Sequence, residues 1–137
     1  MKKKLCMVLL LALASSRAIA EWVQIGQNAH STLFVEPKTL EKSEGRWFAP
    51  SVFKMWDMAS FANPQSVGGM TFLSKKSLSE YDCKETKWRV LSLSFHAGNM
   101  GRGDVLASYS APQQWEPVPP SSVISRFWRY ACKGGPS

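Results

Sequence analysis

Residues 121–132 read SSVISRFWRYAC, and the placement of this stretch decides the fold. Ile124, Phe127, Trp128, Ala131 and Cys132 recur at i, i+3, i+4, i+7 and i+8, the spacing that gathers side chains on one face of an α-helix. Pro119 and Pro120 are barred from a helix interior, and Ser121 or Ser122 can cap its start. Gly134, Gly135 and Pro136 end it. So short a helix is marginal in isolation, and its apolar stripe needs a floor elsewhere in the chain. The last residue of that stripe is a cysteine.

The floor lies upstream, in a run of strands and turns. Lys87 to Ala97 (KWRVLSLSFHA) alternates, with Leu91, Leu93 and Phe95 directed one way and Val90, Ser92, Ser94 and His96 the other. Gly69 to Cys83 supplies a second strand and Asp104 to Ser110 a third, joined to its predecessor by the turn Gly98 to Gly103 (GNMGRG). Ser51 to Phe61 suits either period imperfectly. Val52, Trp56 and Ala59 would fit a helix, but β-prone flanks and the turn signal Asn63-Pro64 favour a strand ending there. Earlier, Glu21 to Ile25 and Ser31 to Glu36 read as short strands, and Thr39 to Gly45 as a charged turn. Pro112, Pro117, Pro119 and Pro120 stiffen the connection that carries the chain from the last strand to the helix.

The first twenty residues read as a targeting segment. Lys2, Lys3 and Lys4 precede an apolar run from Leu5 to Ala14 that is too short to span a bilayer, and Ala18-Ile19-Ala20 offers a cleavage site before Glu21. A signal peptide at 1–20 and one domain at 21–137 follow. Cys6 lies at the start of the apolar run rather than at its end, which argues against a lipoprotein. Four of the positive charges in the formal net of +7 leave with this segment, so the remaining 117 residues carry +3. That excess is too small and too scattered for a nucleic-acid footprint. No later apolar run is long enough to span a membrane.

Cys6 also leaves, and two of the three cysteines remain, Cys83 and Cys132. In a small exported domain two cysteines most often pair, the alternatives being two buried thiols or a metal site. No neighbouring His or Cys offers zinc-like spacing. Cys83 ends a strand and Cys132 lies on the inward face of the helix, so a bridge would fasten cover to floor. The expected fold is α+β: a twisted antiparallel sheet of roughly six strands, covered by one C-terminal helix and tied to it by sulfur.

Tyr81-Asp82-Cys83, the alternating strand after it, Gly98-Asn99-Met100-Gly101, Trp115-x-Pro-Val-Pro-Pro-Ser and the terminal helix with Cys132 together resemble the surface-adhesin protein E family. The resemblance runs from Trp22 to Cys132. It implies an exported domain at the surface or in the periplasm of a bacterium with two membranes. It also implies binding to host matrix or serum proteins and a capacity to dimerise. The chain departs from the founding lipoprotein in lacking a lipid-attachment cysteine, and no binding residues carry over from it.

Catalytic chemistry is sparse. His30 falls in a turn and His96 on the less buried side of a strand, neither beside an evident nucleophile or carboxylate. Asp57, Asp82 and Asp104 belong to separate strands and turns. GNMGRG precedes a strand, whereas a phosphate loop needs a helix there. Its tip residue Arg102 is an anion-contact candidate. Arg126, Arg129 and Lys133 share the outer stripe of the helix, where cations complement the dipole and could also meet an acidic partner. Of the six tryptophans, Trp128 suits the core, and Trp47 in GRWFAP is the best exposed aromatic anchor. The sequence thus points to a non-enzymatic protein-binding module without cofactor or metal, with Trp47, Arg102, Arg126 and Arg129 as candidate partner-binding residues. The alternative is a periplasmic structural protein that associates with itself or a neighbour.

Overall fold

The computed structural model describes residues 20–43 and 51–134; the targeting segment through residue 19 and the anchor candidate Trp47 lie outside the described residues. The strands are β1 (Val23–Gln27), β2 (Ser31–Val35), β3 (Glu41–Lys42), β4 (Val52–Val67), β5 (Met70–Asp82), β6 (Lys87–His96), β7 (Val105–Tyr109) and β8 (Glu116–Pro117), followed by the helix α1 (Val123–Lys133). They form one antiparallel sheet in the order β1-β2-β4-β5-β6-β7, with β3 pairing β4 and β8 pairing β6. The expected α+β architecture is therefore present, with six strands on the main path. Glu41 and Lys42, expected in a turn, pair instead with Lys54 and Phe53.

Two strand readings need correction. Asn63-Pro64 does not end the fourth strand, which runs to Val67 and turns at Gly68-Gly69, both at positive φ. Pairing jumps from Ser60↔Ser74 to Gln65↔Phe72, so Phe61 to Pro64 bulge out of the ladder. Proline is tolerated in a bulge because no ladder hydrogen bond is lost there. In β6 the register passes from Leu78↔Ser92 to Ser79↔Val90, which makes Leu91 the extra residue. Beyond that bulge the alternation inverts. Val90 consequently shares a face with Leu93 and Phe95, and Leu91 does not belong to their set.

The uninterrupted pairing from Val52↔Asp82 to Ser60↔Ser74 assigns the two faces of the sheet. Met55, Ala59 and Tyr81 share one face with Leu33 and Val35 of β2, and there they form the core with Phe127 and Ala131 of α1. The helix stripe behaves as its spacing predicts, with Ile124, Trp128 and Cys132 packed against the same cluster. Ser122 caps the start by accepting from the Ser125 amide at 3.1 Å, and Gly134 in a left-handed conformation closes the end. Cys83 and Cys132 are disulfide-bonded with their Cα atoms 5.5 Å apart. Closing a loop of 49 residues this way stabilises the fold by about 4 kcal/mol in the chain-entropy account. The Trp128 indole adds a hydrogen bond to the Asp82 carbonyl at 3.0 Å, next to the bridge.

One helix of 11 residues is about 16 Å long and roughly 10 Å across. Six strands spaced about 4.8 Å apart make a sheet roughly 24 Å wide. The helix packs over β2, β4 and β5. Among the described residues, part of the apolar face toward β6 and β7 is left uncovered.

Candidate binding surface

That open part is a groove of about 510 Å³, with Leu93 and Phe95 of β6 and Ala107 and Tyr109 of β7 among its lining residues. Val67 and Met70 close it from the tip of the β4–β5 hairpin, and Leu106 and Gln113 complete the rim. None of the lining residues is charged. The register places Leu93↔Tyr109 and Phe95↔Ala107 side by side, so these four side chains project together. A row of edge-on rings runs into the groove: Phe61 to Phe72 at 5.8 Å, Phe72 to Phe95 at 4.7 Å, and Phe95 to Tyr109 at 6.4 Å between centroids. Phe72 is buried, whereas Tyr109 is 56% exposed. The aromatic packing of the core thus continues, without a polar break, to the surface.

β7 also forms an edge of the sheet among the described residues. Edge strands are usually blunted by charge or proline, and β7 (VLASY) carries neither, its one irregularity being a bulge at Leu106. Val105 and Leu106 are exposed. The other end of β6 is covered differently, by β8 with Glu116 and Pro117.

The sequence candidates are not gathered into this groove. Arg126 leans over β1 on the far edge, where its Nη1 would lie 2.5 Å from a Cβ at Gly26. Arg129 is exposed on the outer side of α1. Arg102 is exposed in the β6–β7 connection, which packs on the sheet face opposite the helix. There the Asn99 amide donates to Ser60 Oγ at 3.0 Å and to the Phe61 carbonyl at 2.7 Å. The Gly101 amide donates to Ser74 Oγ at 2.9 Å. Asn99 thereby satisfies a carbonyl released by the β4 bulge, a role that nothing in the spacing of GNMGRG announces.

This connection also corrects the placement of His96. It is 4% exposed rather than on the less buried side, because its cross-strand neighbour Ser74 is roofed by the glycine loop. His96 Nε2 lies 2.8 Å from Ser94 Oγ, and Nδ1 has no partner. Burial, then the nearby Lys76 ammonium, hold the imidazole below its ordinary value. Such a histidine stays neutral near pH 7 and works as a packed polar group.

Elsewhere on that face Glu80, 5% exposed, accepts from Arg89 Nε and Nη2 at 2.7 and 2.6 Å and from Ser43 Oγ. The Arg89 guanidinium stacks over Trp115 at 4.7 Å. Asp57, under the helix, accepts from the Tyr81 hydroxyl at 2.7 Å. Burial, opposed by hydrogen bonds from Tyr81 and Ser79 and by Lys75, pushes its carboxyl up to about 6. Asp82 instead caps the β5–β6 turn through the Lys84 and Glu85 amides, and Asp104 is exposed in the β6–β7 connection. The three aspartates therefore do not converge. Among the described residues no cluster of His, Cys, Asp and Glu is arranged to hold a metal, and no helix is long and apolar enough to cross a membrane.

The model of the family described as surface-adhesin protein E matches residues 22–133. The chain belongs to the surface-adhesin protein E family. Its fold is similar to Haemophilus influenzae protein E in crystal form II, with a TM-score of 0.63 and 9% identity, over 86% of this chain and 91% of that one. A second structure of Haemophilus influenzae protein E aligns at a TM-score of 0.60 and 9% identity, over 86% and 88% of the two chains. The selenomethionine form of the same protein aligns at 0.61 and 9%, over 87% and 91%. No curated protein matches the sequence. At 9% identity the likeness to these structures is one of fold.

Proposed function

We propose that this chain is an exported, non-enzymatic binding module of the bacterial envelope that engages a protein partner through the groove on β6 and β7. One observation carries the reading: an uncharged, aromatic-lined groove left open beside the helix on the apolar face of the sheet. Open apolar patches with a polar surround mark interaction sites, and partners anchor there through aromatic and aliphatic side chains. Membership of a surface-adhesin family supports an adhesin-like role and makes host matrix or serum proteins the class of partner to test. Residues 1–20 direct export and are removed before Glu21, leaving residues 21–137 in the periplasm or on the outer surface without lipid attachment. In this reading Arg126 and Arg129 steer an acidic partner from the helix side and Arg102 from the other face.

The experiment is binding of the mature protein to arrayed matrix and serum proteins, with Tyr109→Lys as the variant. A loss of at least about tenfold, the scale of one interface anchor, is expected at an unchanged melting temperature. Undiminished binding by Tyr109→Lys would move the site elsewhere. Protease treatment of intact cells reports location: digestion is expected for an adhesin, and protection selects the periplasm. A second reading, self-association through the sheet edge, is favoured by one feature, the absence of charge and proline from β7.

A further inference from the structure

Asp57 stands apart from the groove. It sits on the central strand β4, 6% exposed, on the face that α1 covers. The Tyr81 hydroxyl donates to it at 2.7 Å, Ser79 is a second side-chain hydrogen-bond partner, and among the described residues it forms no ion pair. β2 presents Leu33 and Val35 to this layer, β4 Met55 and Ala59, and α1 Phe127 and Ala131, all uncharged. From β5 come the titratable Tyr81 and the cation Lys75, which acts at a distance. Arg126, Arg129 and Lys133 are exposed on the outside of α1. A carboxylate here is therefore desolvated, bonded to hydroxyls and helped only at a distance by Lys75, while a neutral carboxyl is well accommodated.

We propose that Asp57 makes the seat of the terminal helix pH-sensitive: the protonated carboxyl holds α1 on the sheet, and the ionised carboxylate lets it lift while the Cys83–Cys132 bridge keeps its last turn attached. Lifting α1 hydrates Asp57, and the proton passes to solvent. The sign follows from linkage. The closed state binds the proton more tightly than the open one, its carboxyl titrating at about 6 against 3.8. Closure is thus favoured in acid, and that advantage declines as pH rises from 3.8 and is gone above about 6. His96, lowered rather than raised, works in the opposite sense from the other face.

Amide hydrogen exchange of the oxidised protein, corrected for intrinsic rates, tests this. Between about pH 5 and pH 7.5 the opening constant of the α1 amides should rise about tenfold, and Asp57→Asn should remove that rise. A flat wild-type response, an equal response in β7, or a slope that survives Asp57→Asn overturns the proposal. Should Asp57→Asn fail to fold, carbon-13 titration of the wild-type Asp57 carboxyl decides. A midpoint near 6 sustains the proposal alongside the wild-type slope, and one near 4 overturns it.

Discussion

Tyr81 is the best example of a residue whose two halves do different work. Its ring lies in the core with Met55 and Phe127, while its hydroxyl donates to the buried Asp57 carboxylate. Tyr81→Phe keeps the ring and strips the acid of its donor. The expected cost is about 1–3 kcal/mol near neutral pH, where the carboxylate is ionised and charge-assisted bonding is strongest. The cost should shrink near pH 4, where Asp57 is protonated. Urea unfolding of both proteins at the two pH values measures this, and an equal cost at both would detach the hydroxyl from the carboxylate's charge. Arg89 is a comparable case on the other face. Arg89→Met leaves Glu80 buried beside Ser43 without its cation, and the expected loss is about 1–3 kcal/mol.

At the scale of elements, α1 depends on three local devices: the Ser122 cap, the Trp128 indole bond and the bridge at Cys132. The cap orders the first turn from within the helix, and the sulfur ties the last turn to the sheet. Reduction, or Cys132→Ser, should lower stability by about 4 kcal/mol and release the helix before the sheet. Exchange protection resolved by element checks the order, since simultaneous loss in α1 and in β4–β5 would mean that the two layers open as one. The β6–β7 connection makes the opposite kind of element, held by side chains reaching out of the sheet. Its Asn99 takes up the Phe61 carbonyl that the β4 bulge frees, and the hydroxyls of Ser60 and Ser74 accept from Asn99 and from the Gly101 amide, which holds the loop to the sheet.

For the whole molecule, the governing fact is a mismatch of sizes, one short helix against six strands. The uncovered remainder becomes the groove, and among the described residues the sheet ends beyond it at β7, an edge strand. Whether that edge joins a second copy is measurable. Sedimentation should give a mass that falls with dilution in the wild type and stays monomeric for Leu106→Lys. A concentration-independent monomer in the wild type removes self-association and leaves the groove to a different partner.

The sequence by itself determined the elements whose signals are local. Periodicity and caps placed the terminal helix, alternation and turn residues placed most strands, and compartment arithmetic paired Cys83 with Cys132. What depended on tertiary structure was everything governed by pairing between distant strands. A bulge at Leu91 reversed which side chains of β6 face the helix, and a bulge after Ser60 let a strand run through Asn63-Pro64. The buried state of Asp57 and His96 and the opening over Phe95 and Tyr109 belong to the same class. The reason is physical: helix spacing is set by a chain against itself, whereas the face a strand residue occupies and what covers it are set by neighbours arriving from elsewhere in the fold.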